Sequence, residues 1–359
     1  MSVSLFQSLR LHNFRCFASL DWSIPPRGAL ILGDNAQGKT TLLEALCFAL
    51  RLDSPRAARA DTLVRHGSQR FGILLATHRE TRRVVWEEGR ADLRLDDSPC
   101  SSPAEYLAGA PSAVWFGNGD IAVIRGNAEE RRRRLDFLGP QWHPGYRSEL
   151  ARYRHALRSR NALLKQRRAD PAALRSYTRT AAEYGERLVA MRRRLIDLLL
   201  PHLHAAHRRI AGREEPIGLI YRPSTERPLE EAMIDSLDED RRLGFTRYGP
   251  HRDDFALLIH GVAAAEFGSE GQQRTLALAL QLAHASLLQE ETGMPPVLFI
   301  DDIFGELDPS RRRAFLAALP VESAAFITTT RDDWNTPGAL PEAQLDRFLL
   351  ADGRVSPAS

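Results

Sequence analysis

The sequence predicts an α/β fold: a phosphate-loop sheet, an antiparallel β-sheet appended to it, and a short helical, coiled-coil-like arm inserted into the chain. Three observations predict it. A short apolar run, Ala29 to Leu32, leads directly into Gly33-Asp34-Asn35-Ala36-Gln37-Gly38-Lys39-Thr40 and then a helical pattern. A second apolar run, Val297 to Ile300, ends in Asp301-Asp302. Between them, Tyr146 to Ile210 holds almost no glycine, many arginines, and leucine or tyrosine at helical spacing. The 359 residues exceed one ordinary domain. The expected division is a head of residues 1–140 and 215–359 (lobe I) and a basic helical arm of 141–214 (lobe II).

Taken in order, Leu5, Leu9 and Leu11, then Leu20, Trp22 and Ile24, fall at roughly alternating positions around a polar bend at His12 to Arg15, which predicts a β-hairpin. Pro25, Pro26 and Gly28 turn the chain into the Ala29 to Leu32 strand. Thr40 to Leu52 is the expected helix. From Phe71 to Leu95, β-branched and apolar residues alternate with Arg, Thr and Glu across two turn candidates, an antiparallel sheet. The charged face of Arg131 to Arg134 reads as solvated.

In the arm, Leu150, Tyr153, Leu157 and Leu164 line one stripe, and Leu174 to Leu198 keep a three-four alternation. Asp170-Pro171 between them is an N-cap followed by proline at the first helical position, so the two helices form an antiparallel hairpin. Between Arg147 and Arg213 stand about seventeen Lys and Arg against about five Asp and Glu. That positive field suits DNA, and a solvated helix face is the plain alternative. Residues 337–359 read as a loose tail.

The phosphate chemistry follows from residue type and spacing. Gly33 to Thr40 fits GxxxxGK[ST] after a strand and before a helix. Backbone N–H groups of this loop and the helix N-terminus cradle the phosphates of ATP. Lys39 reaches the β and γ phosphates, and Thr40 is the expected Mg²⁺ ligand, with Thr41 beside it. Asp301 is the second Mg²⁺ ligand, and Asp302 is the candidate general base for the attacking water.

The three cysteines are far apart and form no disulfide framework or zinc spacing. With no apolar leader and no run long enough to span a bilayer, the expected setting is cytoplasmic, with no membrane partner.

Phe267-Gly268-Ser269-Glu270-Gly271-Gln272-Gln273-Arg274, followed by a helical run, resembles an ABC signature, and Gly305-Glu306-Leu307-Asp308 resembles a D-loop. The head therefore resembles an ABC-type ATPase. That resemblance implies a composite site in which Ser269, Gly271 and Gln272 of one copy meet the γ phosphate held by another. Trp115 to Ile121 resembles the Q-loop region of SMC-type ATPases, with Asn118 where glutamine is usual. After Phe326-Ile327 the switch histidine is replaced by Thr328-Thr329-Thr330, and Thr329 is assigned its place.

Leu11-His12-Asn13-Phe14-Arg15, Gly249-Pro250-His251-Arg252-Asp253-Asp254 and Ser269-Glu270-Gly271-Gln272-Gln273 together resemble the RecF family over nearly the whole chain. Without that resemblance the second passage is a polar loop before a strand. The family resemblance implies an ATP-dependent homodimer on double-stranded DNA and on single-strand/double-strand junctions. It also implies slow hydrolysis, association with the nucleoid, and help in loading recombinase at gaps with RecR and RecO. Ala36, Thr41 and Glu270 depart from the family pattern. An acidic Glu270 beside a γ phosphate is unfavourable unless it points away. Alternatives left open are a nucleotide-gated protein-interaction switch, another SMC-like chromosome ATPase, an ATPase with an attached nuclease, and a transporter ATPase.

Overall fold

The computed structural model describes residues 5–57, 59–166, 168, 170–330 and 345–358. The chain divides into two compact units, one of residues 1–120, 205–213 and 278–359 and one of 121–204 and 214–277. Of the segment expected as a separate arm at 141–214, residues 141–204 and 214 belong to a unit that also takes in 121–140 and 215–277, while 205–213 belong to the other.

In the first unit, one sheet has the strand order Arg354–Pro357, Asp346–Ala351, Gly28–Leu32, Ala325–Thr329, Val297–Asp301, Ala113–Gly117. All neighbours are parallel except the terminal hairpin. The four strands from Gly28–Leu32 to Ala113–Gly117 are nearly continuous apolar runs, as strands covered on both faces are. The loose tail expected over 337–359 is corrected in its described part. Arg347 to Leu349 pair with Leu30 to Leu32, so 346–357 extends this sheet, while 337–344 and 359 lie outside the described residues.

The second sheet is antiparallel, in the order Phe17–Ser23, Phe6–Phe14, Arg70–Thr77, Thr81–Glu87, Arg90–Leu95, Ser98–Pro99. The expected hairpin is present with a later bend. Phe14 pairs with Phe17, leaving only Arg15 and Cys16 to turn the chain. Its buried face stacks Phe6 and Trp22 edge-on against Phe326, at 5.4 and 6.1 Å between ring centres. The helix Lys39–Arg51 is buried at every position but Thr40. A helix apolar on most sides needs cover on most sides, and Phe48 meets Phe71 of the antiparallel sheet at 5.7 Å.

The second unit holds a three-stranded sheet, Ile217–Arg222, Asp254–Ile259 and Val262–Ala263, and most of the arm. The arm's helices are Tyr146–Leu164 and Pro171–Ala211, and Asp170 accepts the Ala172 N–H at 2.9 Å, as an N-cap should. Leu150, Tyr153, Ala181 and Leu188 meet in one core that also includes Leu229 and Met233. The arm's apolar stripes are thus covered by residues far from it in sequence as well as by each other. No helix of the described residues is long and apolar enough to cross a membrane.

Candidate functional site

Strand register sets the site. Leu32 lies beside Thr329, Thr328 beside Asp301, and Asp301 beside Gly117. Parallel strands in register put their carboxyl ends at one edge, where α/β sheets bind ligands. Every loop of interest in the first unit leaves from that edge.

The loop after Leu32 depends on its glycines. Gly33 has φ 156°, and a Cβ there would sit 2.5 Å from the Leu350 carbonyl oxygen. Gly38 has φ 101°, with Cys16 Sγ 2.8 Å from where a Cβ would be. Asp34, Asn35 and Ala36 are exposed at the tip, and Ala36 has φ 66°, a left-handed conformation costing an L-residue about 1 kcal/mol. Gln37 accepts the Asp352 N–H through its side chain at 3.1 Å.

Lys39 then opens the helix, and its ammonium reaches back to the carbonyls of Gly33 (2.6 Å) and Asp34 (2.8 Å). Thr41, on the same first turn, is largely buried. One turn on, buried Glu44 is paired with Arg15 at 2.5 Å and accepts the Ser54 hydroxyl at 2.5 Å. Arg15 closes the Leu11 to Arg15 passage, so this pair ties the hairpin turn to the phosphate-loop helix.

The Thr40 hydroxyl donates to Asp301 Oδ1 at 2.7 Å, and the Thr328 hydroxyl donates to the same oxygen at 2.8 Å. Asp302, at φ 51°, turns the chain out of the strand, and Asn118 Nδ2 donates to its carbonyl at 3.1 Å. Burial lowers the Lys39 pKa, opposed by Asp302, Asp301 and Asp34. Burial likewise raises the Asp302 pKa, opposed by Lys39 and reinforced by Asp301. A carboxyl raised in this way is a better proton acceptor than a solvated one.

Lys39, Thr40, Asp301, Asp302 and Asn118 are therefore brought together. Thr329 is buried beside Leu32, and the hydroxyl that meets Asp301 is that of Thr328, which sequence reasoning passed over. The signal that could have found it is register: Thr328 is the residue paired with Asp301. The hydroxyl and carboxylate of Thr40 and Asp301 suit Mg²⁺, which takes few protein oxygens and keeps water and phosphate for the rest. Among the described residues no group of three or more His, Cys, Asp or Glu could hold a metal by itself.

Ser269, Gly271 and Gln272 lie in the second unit, at the start of the helix Glu270–Thr292. Gln272 Oε1 accepts the Ser269 N–H at 2.9 Å while Ser269 Oγ accepts the Gln272 N–H at 3.3 Å. Side chain and backbone exchange bonds here as in a capping box. Glu270 is exposed and paired with Arg274 at 3.0 Å, so its charge has a partner within its own helix. Asp308 caps the helix Pro309–Ala318, and the Ser310 hydroxyl holds its pKa down.

The Gly249 to Asp254 loop proves to be a junction. Asp253 is buried and accepts from the Tyr221 hydroxyl and the Ser224 N–H. Asp254 takes a two-pronged bond from Arg131 at 2.6 and 2.9 Å, and Arg132 donates to the Asp253 carbonyl at 2.8 Å. The solvated face expected for Arg131 to Arg134 is thus corrected: two of the four are spent on this loop. His251 lies between the Tyr153 hydroxyl (2.5 Å) and the Thr246 carbonyl (3.0 Å).

A family model described as an AAA domain matches residues 8–92. The DNA replication and repair protein RecF of Anaeromyxobacter sp. is 38% identical, covering 98% of this chain and 98% of its own. The protein of the same name from Synechococcus sp. is 35% identical over 98% and 97%. A solved structure of the recombination mediator protein RecF with ATP, of the RecFOR pathway, superposes with a TM-score of 0.87 at 27% identity, covering 100% of this chain and 98% of that one. An Smc head bound to the C-terminal winged-helix domain of ScpA matches at a TM-score of 0.54 and 15% identity over 99% and 98%, a likeness of fold alone.

Proposed function

This chain belongs to the RecF family, and from that premise we propose that it is a recombination mediator whose two copies close on ATP while gripping double-stranded DNA. Slow hydrolysis then resets the dimer, and the DNA-bound state helps to load recombinase at gapped DNA and strand junctions, together with RecR and RecO.

The observation that carries the reading is the convergence on Asp301. The hydroxyls of Thr40 and Thr328 meet one of its oxygens, beside Lys39 and Asp302, at the carboxyl edge of the sheet. In this reading the backbone of residues 33–38 cradles the phosphates, Lys39 holds the β and γ oxygens, and Thr40 and Asp301 hold Mg²⁺. When bound, Mg²⁺ supplies positive charge against the phosphate oxygens. Water attacks the γ phosphorus, the bond to the β-phosphate oxygen breaks, and the water proton passes to Asp302. Asn118 holds the Asp302 turn through its carbonyl, and Thr329 lends the strand end its second buried hydroxyl. Ser269, Gly271 and the helix N-terminus of the second copy complete the γ-phosphate shell, which is what makes the dimer depend on ATP.

DNA contact falls to exposed arm residues such as Arg158, Lys165, Arg175 and Arg179, for which the described residues supply no acidic partner. Contacts to phosphates alone are tolerant of sequence and sensitive to salt.

The test is mass in solution by light scattering, with and without ATP and duplex DNA, for wild type, Lys39→Met and Ser269→Arg. ATP should produce a dimer on DNA in wild type, and both substitutions should abolish it while the thermal unfolding midpoint stays put. A wild type that stays monomeric throughout, or a Ser269→Arg variant that dimerises normally, overturns the reading.

A further inference from the structure

Two adjacent glutamines hold the Ser269 loop. Gln273 is buried, and its amide nitrogen donates to the carbonyls of Ala264 (2.8 Å), Ala265 (3.3 Å) and Gly268 (2.9 Å). Those carbonyls belong to the short helix Ala264–Phe267 and the turn that delivers Ser269. Gln272 holds Ser269 itself. Its carbonyl oxygen takes the Ser269 N–H, and its nitrogen donates to Glu215 at 2.7 Å.

An amide can be turned over, and a flipped Gln273 would aim its oxygen at three carbonyls. What fixes the orientation is Arg125, whose Nε–H donates to Gln273 Oε1. A guanidinium only donates, so it accepts no orientation but the one that leaves the amide N–H groups facing the loop. Glu215 does the same for Gln272 in the opposite sense, because a carboxylate only accepts and so selects the amide nitrogen. Its side chain is 5% exposed, and the same oxygen lies 3.5 Å from His260 Nε2. Neither Arg125 nor Glu215 stands in a nucleotide motif.

Resting on the composite-site reading above, we infer that Arg125 and Glu215 are positioning residues for Ser269. They act through Gln273 and Gln272 and set the geometry with which one copy meets the ATP of the other. Neither touches nucleotide. Their effect is on a step that needs the loop in place, since a displacement of about 1 Å in a group that must meet a reacting centre costs on the order of a hundredfold.

The experiment uses the full chain with Arg125→Ala, Arg125→Lys, Gln273→Glu and Glu215→Ala. Hydrogen exchange of the peptide spanning Gly268 to Gln273 is measured without nucleotide, so it does not depend on the composite site. Exchange should quicken about tenfold in Arg125→Ala, Gln273→Glu and Glu215→Ala. Arg125→Lys should restore most of the protection, because an ammonium still donates to Gln273 Oε1. Gln273→Glu is the sharpest variant: it keeps its charge partner Arg125 and loses every donor to the loop. Binding of a fluorescent ATP analogue to the monomer should match wild type, while ATP-dependent dimerisation weakens about tenfold or more.

Unchanged exchange in both Arg125→Ala and Gln273→Glu overturns the inference. So does wild-type dimerisation in Arg125→Ala when Ser269→Arg abolishes it, and in that case the composite site itself stands. If Ser269→Arg dimerises normally, the composite site falls and takes this positioning role with it, whatever the exchange data say.

Discussion

The phosphate-loop edge and the arm both concentrate charge, and they use it in opposite ways. At the edge, Lys39, Asp301 and Asp302 sit at strand and helix ends, close enough that the two carboxylates act on the proton affinity of Lys39, and Lys39 and Asp301 on that of Asp302. In the arm, Arg160 and Arg192 are buried. Arg160 bonds Asp240 at 2.8 Å together with Thr178, Thr246 and the Met233 carbonyl. Arg192 bonds Asp136 at 2.7 Å, the Tyr146 hydroxyl and the Pro250 carbonyl. Other arm arginines also meet acids from outside 147–213: Arg154 pairs with Asp136, and Arg193 with Glu226. The excess of about seventeen bases over about five acids in that stretch therefore overstates the field the arm presents. A local charge count records chain composition, whereas the field depends on which partners folding brings in.

The comparison breaks first at Arg160. If it is structural, Asp240→Ala leaves a buried guanidinium without its counter-charge and should cost about 3–5 kcal/mol in urea unfolding. A loss under about 1 kcal/mol would mean that the arm's buried charges are no more structural than its surface ones.

His251 sharpens it in a second way. Burial, with Arg252 and Arg132 nearby, lowers its pKa to about 4 from an ordinary 6.5. Its neutral ring accepts from Tyr153 and donates to the Thr246 carbonyl. A depressed histidine keeps its full contribution above pH 6.5 and loses it as pH falls towards 4. The loss should reach about 3 kcal/mol, and unfolding curves of His251→Gln should lack that part of the pH dependence.

A smaller effect separates buried from exposed arginines. Replacing Arg158, Lys165, Arg175 and Arg179 together by alanine should leave stability within about 0.5 kcal/mol. It should also lower the slope of log DNA affinity against log salt by up to about 3.6. An unchanged slope would remove these four from the DNA contact. Smallest of all, Ala36→Gly should relieve the left-handed φ of 66° and raise stability by less than about 1 kcal/mol. A destabilised variant would mean that the methyl group packs.

How legible the sequence was differs between the two regions for a physical reason. The nucleotide edge is built from contiguous runs, Gly33 to Thr40 and Val297 to Asp302, because phosphate cradling needs consecutive backbone N–H groups and a strand needs consecutive apolar residues. Thr328 escaped because its role depends on register with Asp301, which no local pattern records. Asp253 and Asp254 escaped because their partners Tyr221, Ser224 and Arg131 lie far off in the chain.

By itself, then, the sequence determined the α/β class, the phosphate loop, the acidic strand and the two arm helices, since each is a short-range pattern with its own geometry. Only the tertiary structure decided which arginines are counter-charged and buried, which threonine meets Asp301, and what orients the two glutamines behind Ser269. Those outcomes depend on pairs distant in sequence, and burial makes such pairs matter: a charge out of water must find its partner wherever the fold supplies one.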